Sequence, residues 1–585
     1  MENRRLQALR EQLNQLGVDG FYLPLTDEFM GEYIPDSEKR LGWLTGFTGS
    51  AGLAVITKDK AAFFTDGRYT LQAKEEVSSG FEILNMADVS PVKWVSKNCS
   101  SGTLGYDPKL VTIQTKKQLQ NGLPNAVALA ALQQNPVDVI WEDRPKAPAS
   151  PIVHQPMECA GWSVEEKYVR IASQVKQEGA DALLITASDS LCWLLNMRAN
   201  DIPHTPFARC YGLLLAEGGI QLFVDHKRIE SAAIAHWGKW VTVLAVDSLQ
   251  NTLQELGSKG FTISLDPSQV SGWLEDCCNA AKLKILNKPD PCQLIKAIKN
   301  PVEIEGTKRA HRIDGLALTK FLAYLQEHAT GMDELAVCEV LEQFRKESKD
   351  YIEPSFPTIS GSGPNGAIVH YRVSEKTNRR LDQNNLLLVD SGGQYRFGTT
   401  DVTRTVAIGT PSQEMKENFT RVLKGHIALA TAIFPEGTNG MQLDALARQY
   451  LWQAGLDYDH GTGHGVGSYL SVHEGPQRIS KRGSDIALQA GMILSNEPGY
   501  YKNGEYGIRI ENLIVVVEKF IRDGKRYFGF ETLTLAPIDS CVIAPELLTD
   551  TEKLWLLYYH ARVLETHQGF LNTKEKQWLE KVIAL

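Results

Sequence analysis

Leu386-Leu387-Leu388-Val389-Asp390-Ser391-Gly392-Gly393 is an apolar run that ends on an acid and a glycine turn, and Thr399-Thr400-Asp401-Val402 returns to a second acid. Four consecutive aliphatic residues bounded by turn signals read as a buried strand, so the stretch predicts a β-hairpin. With the turn centred between residues 395 and 396, Asp390 and Asp401 stand opposite one another, with Cβ atoms about 5 Å apart. Further on, Ile493-Leu494-Ser495-Asn496-Glu497 runs into Asn503-Gly504, and Ile508-Arg509-Ile510-Glu511 returns. An Asn-Gly turn there sets Glu497 against Glu511.

Two facing carboxylate pairs on apolar strands repel one another unless protons or cations intervene. Four negative charges match two divalent metals, so a dinuclear site with shared oxygens is the expectation. Ordinary turn acids would account for one such residue but not for two facing pairs. A nitrogen donor comes from His460-Gly461-Thr462-Gly463-His464-Gly465-Val466-Gly467, with His473 after it. Four glycines in eight residues forbid a stable helix, so His460 and His464 belong to a tight loop and not to an i, i+4 zinc helix. His370, in Ala367-Ile368-Val369-His370-Tyr371, is a weaker candidate in strand-like sequence. Gly361-x-Gly363-x-x-Gly366 matches a dinucleotide fingerprint in letters only, because strand-like sequence, not a helix, follows it.

Outward from this site, the 585 residues allow about three or four domains. The third region opens on Asn300-Pro301, a cap and first-turn proline. Two helix pairs follow in matching order, one through Thr330-Gly331-Met332 and the other through Thr438-Asn439-Gly440-Met441, which suggests a pseudo-twofold α+β domain with a site between its halves. The earlier part also repeats. Leu6, Leu9, Leu13 and Leu16 mark a helix that stops at Gly17 before Phe21-Tyr22-Leu23-Pro24. A capping box at Ser163 and Glu166 starts a helix that stops at Gly179 before Ala182-Leu183-Leu184-Ile185. Trp43-Leu44 and Trp193-Leu194 follow, then apolar strands ending at Asp66 and Asp225. The boundaries expected are 1–155 and 156–300 for two copies of one α/β domain, and 301–585 for the catalytic domain. Arg144-Pro145-Lys146-Ala147-Pro148-Ala149-Ser150-Pro151 would link the copies.

An apolar fraction of 43% and a charged fraction of 22% exclude collagenous and disordered classes. A formal charge of -9 supplies no field for nucleic acid or an anionic membrane, which leaves a small molecule or peptide as the substrate. Nine cysteines (Cys99, Cys159, Cys192, Cys210, Cys277, Cys278, Cys292, Cys338 and Cys541) form no C-x-x-C and read as buried thiols in a reducing compartment. The start of the chain does not read as a signal peptide, and no apolar run has membrane-spanning length, so a cytoplasmic location is expected.

The strings Gly363-Pro364-Asn365-Gly366-Ala367-Ile368-Val369-His370-Tyr371, His460 to Gly467, Val472-His473-Glu474-Gly475-Pro476 and Ser495-Asn496-Glu497-Pro498-Gly499-Tyr500-Tyr501 resemble the creatinase/methionine-aminopeptidase superfamily, whose catalytic domain is the pita-bread fold. The likeness extends to Trp43-Leu44-Thr45-Gly46-Phe47-Thr48-Gly49-Ser50 and is nearest to the cytosolic, three-domain, proline-specific aminopeptidases. It implies two creatinase-like N-terminal α/β domains and a pita-bread α+β catalytic domain. The implied activity is Xaa-Pro aminopeptidase, releasing the residue before a proline at the second position by attack of a hydroxide held between two divalent metals.

Carried over residue by residue, the resemblance makes Asp390, Asp401, His464, Glu497 and Glu511 metal ligands, with Asp401 and Glu511 bridging. It makes Glu497 the proton carrier, has His473 and His370 donate to the carbonyl oxygen, and puts His460 and Tyr501 along the proline side. Arg509, on the face of Glu511, would orient a carboxylate ligand, with an exposed surface arginine as the alternative. Oxygen ligands with one imidazole favour Mn2+, with Co2+, Fe2+ or Zn2+ admissible. A homodimer is implied, and Trp452 on the 443–454 helix is a candidate contact. The N-terminal domains are assigned substrate restriction and assembly. A prolidase-like dipeptidase and a non-catalytic peptide-binding protein of the same fold are the alternatives.

Overall fold

The helix Arg4–Gln15 buries Leu6, Leu9 and Leu13 on one stripe, and Gly17 closes it with φ +69, the left-handed conformation a helix end favours. Leu16 lies beyond the last turn and is exposed. The computed structural model describes residues 4–483 and 485–584. It divides into two compact units, Met1–Gln155 with Trp162–Cys292, and Pro156–Gly161 with Gln293–Leu585.

The first unit holds two six-stranded sheets of one design. In the first, Gly20–Pro24 pairs antiparallel with Leu53–Thr57 on one side and parallel with Gly102–Tyr106 on the other. In the second, Ala182–Ile185 does the same with Tyr211–Leu215 and Thr262–Leu265. A helix precedes each of these central strands, Arg4–Gln15 in one case and Val164–Gln177, with its Ser163/Glu166 capping box, in the other. The two halves meet within one unit: Phe29 and Ile113 of the first join the apolar core of the second, Arg209 donates to Asp27 at 3.0 Å, and the Tyr211 hydroxyl donates to Glu28 at 2.8 Å. The proline-rich stretch is tied at both ends, Arg144 Nε donating to the Ser37 carbonyl and Ser150 Oγ to Asp201.

The second unit begins its main body with the long helix Pro301–His328, capped by Asn300 with Glu303 closing the capping box. The helix Glu334–Lys346 follows, and the second pair is Gln413–Ala430 and Gly440–Trp452. Asp333 and Asn439 cap the second member of each pair, Asp333 after its Gly331-Met332 and Asn439 before its Gly440-Met441, so the two Gly-Met steps hold different places at the helix starts. The short strand Ile433–Pro435 separates the two helices of the second pair.

Between the helices lie two antiparallel ribbons. Ile359–Ser362, Asn385–Ser391 and Val402–Ile408 form one sheet, in which Leu386 to Val389 are all buried. The other runs Ile433–Pro435, Lys525–Thr532, Asn512–Arg522, Ile493–Asn496, Gly463–Gly465 and Glu474–Ile479. The ribbons join along Val402–Ile408: the Glu511 N–H donates to the Thr403 carbonyl at 3.2 Å, and Thr405 Oγ1 donates to the Arg509 carbonyl at 3.0 Å. This seam carries the site.

Two local expectations change. Asp390 pairs with Thr403, not Asp401, since Gln394↔Thr399 and Tyr395↔Gly398 put the turn at Arg396-Phe397. Moving the turn centre by one residue shifts the register by two, so Asp401 keeps its face but takes a diagonal position. The segment around His370 is not a strand: a 3-10 turn spans Gly363–Ala367 and a further turn carries Ile368 to His370. No α-helix opens on the Gly361-x-Gly363-x-x-Gly366 glycines. All nine cysteines are unbridged; Cys541 is exposed and Cys99, Cys277 and Cys338 only partly covered, so the burial expected for the thiols holds for the other five.

Candidate metal centre

His464 sits on the short strand Gly463–Gly465 rather than on a free loop, because its flanking glycines let neighbouring backbone close in. A Cβ at Gly463 would lie 2.0 Å from the Ser495 carbonyl oxygen, a distance no side chain tolerates. The imidazole Nδ1 faces the Gly465 carbonyl at 2.9 Å, which leaves Nε2 for the site. Nε2 lies 3.4 Å from Asp401 Oδ2 and 3.5 Å from Glu497 Oε1. Ligand atoms of Asp401, His464 and Glu511 all lie within 4.8 Å of one another.

Glu497 and Glu511 occupy matching steps between two ladders, Asn496↔Asn512 on one side and Gly499↔Arg509 on the other, which keep one register through the hairpin. Asp390 reaches the group from the other ribbon and accepts from Arg509 at 2.7 Å.

The electrostatics are those of a cluster short of positive charge. Burial, and then the neighbouring charges of Asp401, Glu497 and Asp390, push Glu511 well above the carboxylate range. Burial raises Asp401 to about 6, although the His464 hydrogen bond opposes it. Burial would lower His464, but its hydrogen bond to Asp401 and the charge of Glu497 overcome this and hold it at about 9. Asp390 Oδ1 and Glu511 Oε1 are buried and have no hydrogen-bond donor. A buried carboxylate oxygen left without a donor is costly, so this set of oxygens with one imidazole fits divalent cations.

Around the cluster runs a web of hydrogen bonds. Arg509, 1% exposed and so not a surface arginine, donates to Asp390, to the Tyr501 hydroxyl at 2.7 Å, to Thr403 Oγ1 at 3.1 Å and to the Val369 carbonyl at 3.3 Å. Tyr501 in turn meets His460 Nε2 at 2.8 Å. His460 Nδ1 faces the Gly461 carbonyl at 2.7 Å, so Nε2 accepts from Tyr501. His473 lies against His464, ring centroids 4.4 Å apart at 76°. His370 follows Val369 on its turn and is tied to the web through that carbonyl.

Other residues of the site escape sequence reasoning. Thr403 donates from Oγ1 to Glu511 Oε2 at 2.8 Å. Arg404, buried, donates to the Glu511 carbonyl at 2.7 Å and to Asn512 and Tyr559. Arg448 and Asp444 hold the glycine loop, Arg448 donating to the His460 carbonyl at 2.8 Å. Glu334 accepts from Ser362 N–H, Arg379 N–H and the Tyr371 hydroxyl, fixing the turn beside His370. The Thr-Arg-Thr run two residues after Asp401 and the i, i+4 spacing of Asp444 and Arg448 were the available signals.

The pita-bread ribbons and their acid-imidazole cluster define a metal-dependent hydrolase. The chain belongs to metallopeptidase family M24, whose model matches residues 305–518. The creatinase/prolidase N-terminal domain matches twice, at 5–140 and 143–303, and the C-terminal region of peptidase M24 matches 526–584. Among its relatives, a probable Xaa-Pro aminopeptidase P of Coprinopsis cinerea is 38% identical, the match covering 99% of this chain and 97% of the relative. Aminopeptidase P2 of Arabidopsis thaliana is 38% identical over 99% of this chain and 88% of its own. Among solved structures, an X-prolyl aminopeptidase of Caenorhabditis elegans, described as a cytosolic enzyme with a di-nuclear active site, superposes with a TM-score of 0.93 at 33% identity, covering 99% of both chains.

Proposed function

We propose that the chain is a metal-dependent aminopeptidase that removes the N-terminal residue from peptides with proline in the second position, and that Asp390, Asp401, His464, Glu497 and Glu511 hold two divalent cations. The observation that carries this reading is the pair of donorless buried oxygens on Asp390 and Glu511 beside the converging atoms of Asp401, His464 and Glu511. The relatives that match nearly the whole chain are named for Xaa-Pro aminopeptidase activity, and the C. elegans neighbour is described as di-nuclear. Hard oxygens with one imidazole favour manganese, with cobalt, iron and zinc admissible.

The cations supply positive charge to neutralise the acids and to make water nucleophilic at neutral pH. The protein's own groups carry the rest. Glu497, oriented by the Ser495 hydroxyl at 3.0 Å, takes the proton of the attacking water and delivers it to the leaving proline nitrogen. His473 and His370 donate to the developing oxyanion, a kind of contact worth about 3 kcal/mol. His460 and Tyr501 border the proline ring, and Arg509 holds both Tyr501 and Asp390 in place.

On the same reading the domains divide at 155 and 300, the protein works in the cytosol, as the C. elegans enzyme is described, and it forms a homodimer through the face of Trp452, which is 46% exposed. Among the described residues no helix is long and apolar enough to cross a membrane. The test is elemental analysis with a peptide assay: two metals per chain, manganese-restored release of arginine from Arg-Pro-Pro after chelation, and little cleavage of Arg-Ala-Ala. Asp401→Ala should lose both metal and turnover, by about a thousandfold or more. Full activity after exhaustive chelation, or equal cleavage of the two peptides, would reject the proposal.

A further inference from the structure

Next to His473 the backbone carries Glu474, whose side chain lies in the interior with two lysines. Lys296 Nζ is 2.6 Å from Glu474 Oε2, and Lys299 Nζ donates to Oε1; all three side chains are 1% exposed. The lysines come from the segment just before the long helix. That segment is sewn to the start of the strand Ile493–Asn496: the Lys299 N–H donates to the Gly491 carbonyl at 3.0 Å, and Ile298 bridges Met492. Lys299 Nζ also donates to the Lys296 carbonyl at 2.9 Å, which closes the clasp on itself.

Glu474 also borders the strand of His464. It stands opposite Gly465 in the ladder, and a Cβ at Gly467 would lie 3.1 Å from Glu474 Oε2. The carboxylate therefore lies beside Gly467, on the stretch of chain between the two histidines. A buried ion pair is a poor source of net stability, because desolvation consumes most of the attraction. What it does well is specify one geometry, since every displaced arrangement leaves a charge unpaired in the interior.

We propose that Glu474, clasped by Lys296 and Lys299, is the positioning residue that fixes His473 against His464 and so aims His473 at the oxyanion. It acts through His473 and touches no substrate. The proposal rests on the role given to His473 above.

The test is a double-mutant cycle on the metal-loaded enzyme, reading kcat, KM, metal content and thermal midpoint with Arg-Pro-Pro. Glu474→Gln should lower kcat about tenfold or more, leave KM within about threefold and retain both metals. In a His473→Ala background, Glu474→Gln should change kcat by less than about twofold, because the group it positions is gone. Losses that multiply in the double variant, a kcat within about twofold of wild type, or loss of metal in Glu474→Gln overturn the proposal. If Glu474→Gln does not fold, Lys299→Met keeps a neutral Lys296-Glu474 pair; it should lower kcat about threefold, and only when His473 is present. An unchanged kcat in that variant also overturns it. Wild-type turnover in His473→Ala would remove the oxyanion role of His473 and this proposal with it, whereas multiplying losses remove this proposal alone.

Discussion

Three of the four candidate histidines lie beside a buried charged group. Arg448 and Asp444 hold the loop of His460, Glu334 holds the turn of His370 through Tyr371, and Glu474 borders His473. Arg509 belongs to the same order of parts but links ligand and pocket directly. Its planar fork reaches Thr403, Tyr501 and Asp390 from three separate nitrogens in one fixed geometry, which the compact ammonium of a lysine does not reproduce. Arg509→Lys should therefore lower kcat/KM by about 10- to 100-fold, the usual loss on removing a partner that orients a ligand. Assays at saturating manganese, with metal content measured in parallel, separate this effect from simple loss of metal. A variant within about twofold of wild type would show that Asp390 needs no such support. Of these parts, residue type and spacing made the four acids and a histidine-rich glycine stretch legible, and the resemblance to a known family singled out His464 among its histidines. The anchors were not legible, since a buried Glu334 or Lys296 looks like any charged helix residue until its neighbours are known.

At the scale of elements, the seam between the ribbons depends on backbones that nearly touch. A Cβ at Gly507 would lie 1.7 Å from the Gly366 carbonyl oxygen, so the hairpin Gly499–Lys502 with Tyr506–Arg509 packs directly on the turn Gly363–Ala367. Gly507→Ala should destabilise the protein by about 3 kcal/mol and reduce turnover, since the strand cannot withdraw without moving Arg509. Gly504, at the hairpin tip with φ +76 and open space around it, should cost only about 1 kcal/mol as Ala, through backbone strain alone. Chemical denaturation of the two variants compares them, and equal losses would refute the argument from close approach. The Gly361-x-Gly363-x-x-Gly366 glycines thus have a packing use: Gly361 and Gly366 lie against each other, with a Cβ on Gly361 meeting Gly366 N at 2.7 Å. The register of the Asp390 hairpin was open at this scale for a related reason. Gly392-Gly393 signals a turn without saying where it centres; in the structure Arg396-Phe397 is the turn, and the Tyr395 hydroxyl donates to buried Asp314 at 2.8 Å.

Taken as a whole, the catalytic unit keeps several histidines neutral in its interior. Burial lowers His426 to about 3 and His560 to about 4, and it lowers His311 and His567 as well. Their folded values lie below the unfolded value near 6.5, so the unfolded chain takes up protons first as pH falls. The stability they contribute is complete above about pH 6.5 and is lost progressively toward pH 3 to 4. Thermal midpoints measured from pH 7.5 down to 4.5 should fall, with the fall reduced in His426→Gln; a flat profile would contradict the burial of these rings.

Sequence alone marked the strands of the two acidic hairpins, the helices that open each repeat, the twofold repeat at the front of the chain and the residue types of the candidate site, because periodicity, turn residues and side-chain type are local properties; it misread the turn at His370 as a strand. Only the tertiary structure decided which oxygens meet, that Asp401 stands diagonal to Asp390, and which buried charges hold the histidines. Those are matters of distance between segments up to about 178 residues apart, as between Lys296 and Glu474, and no local preference encodes them.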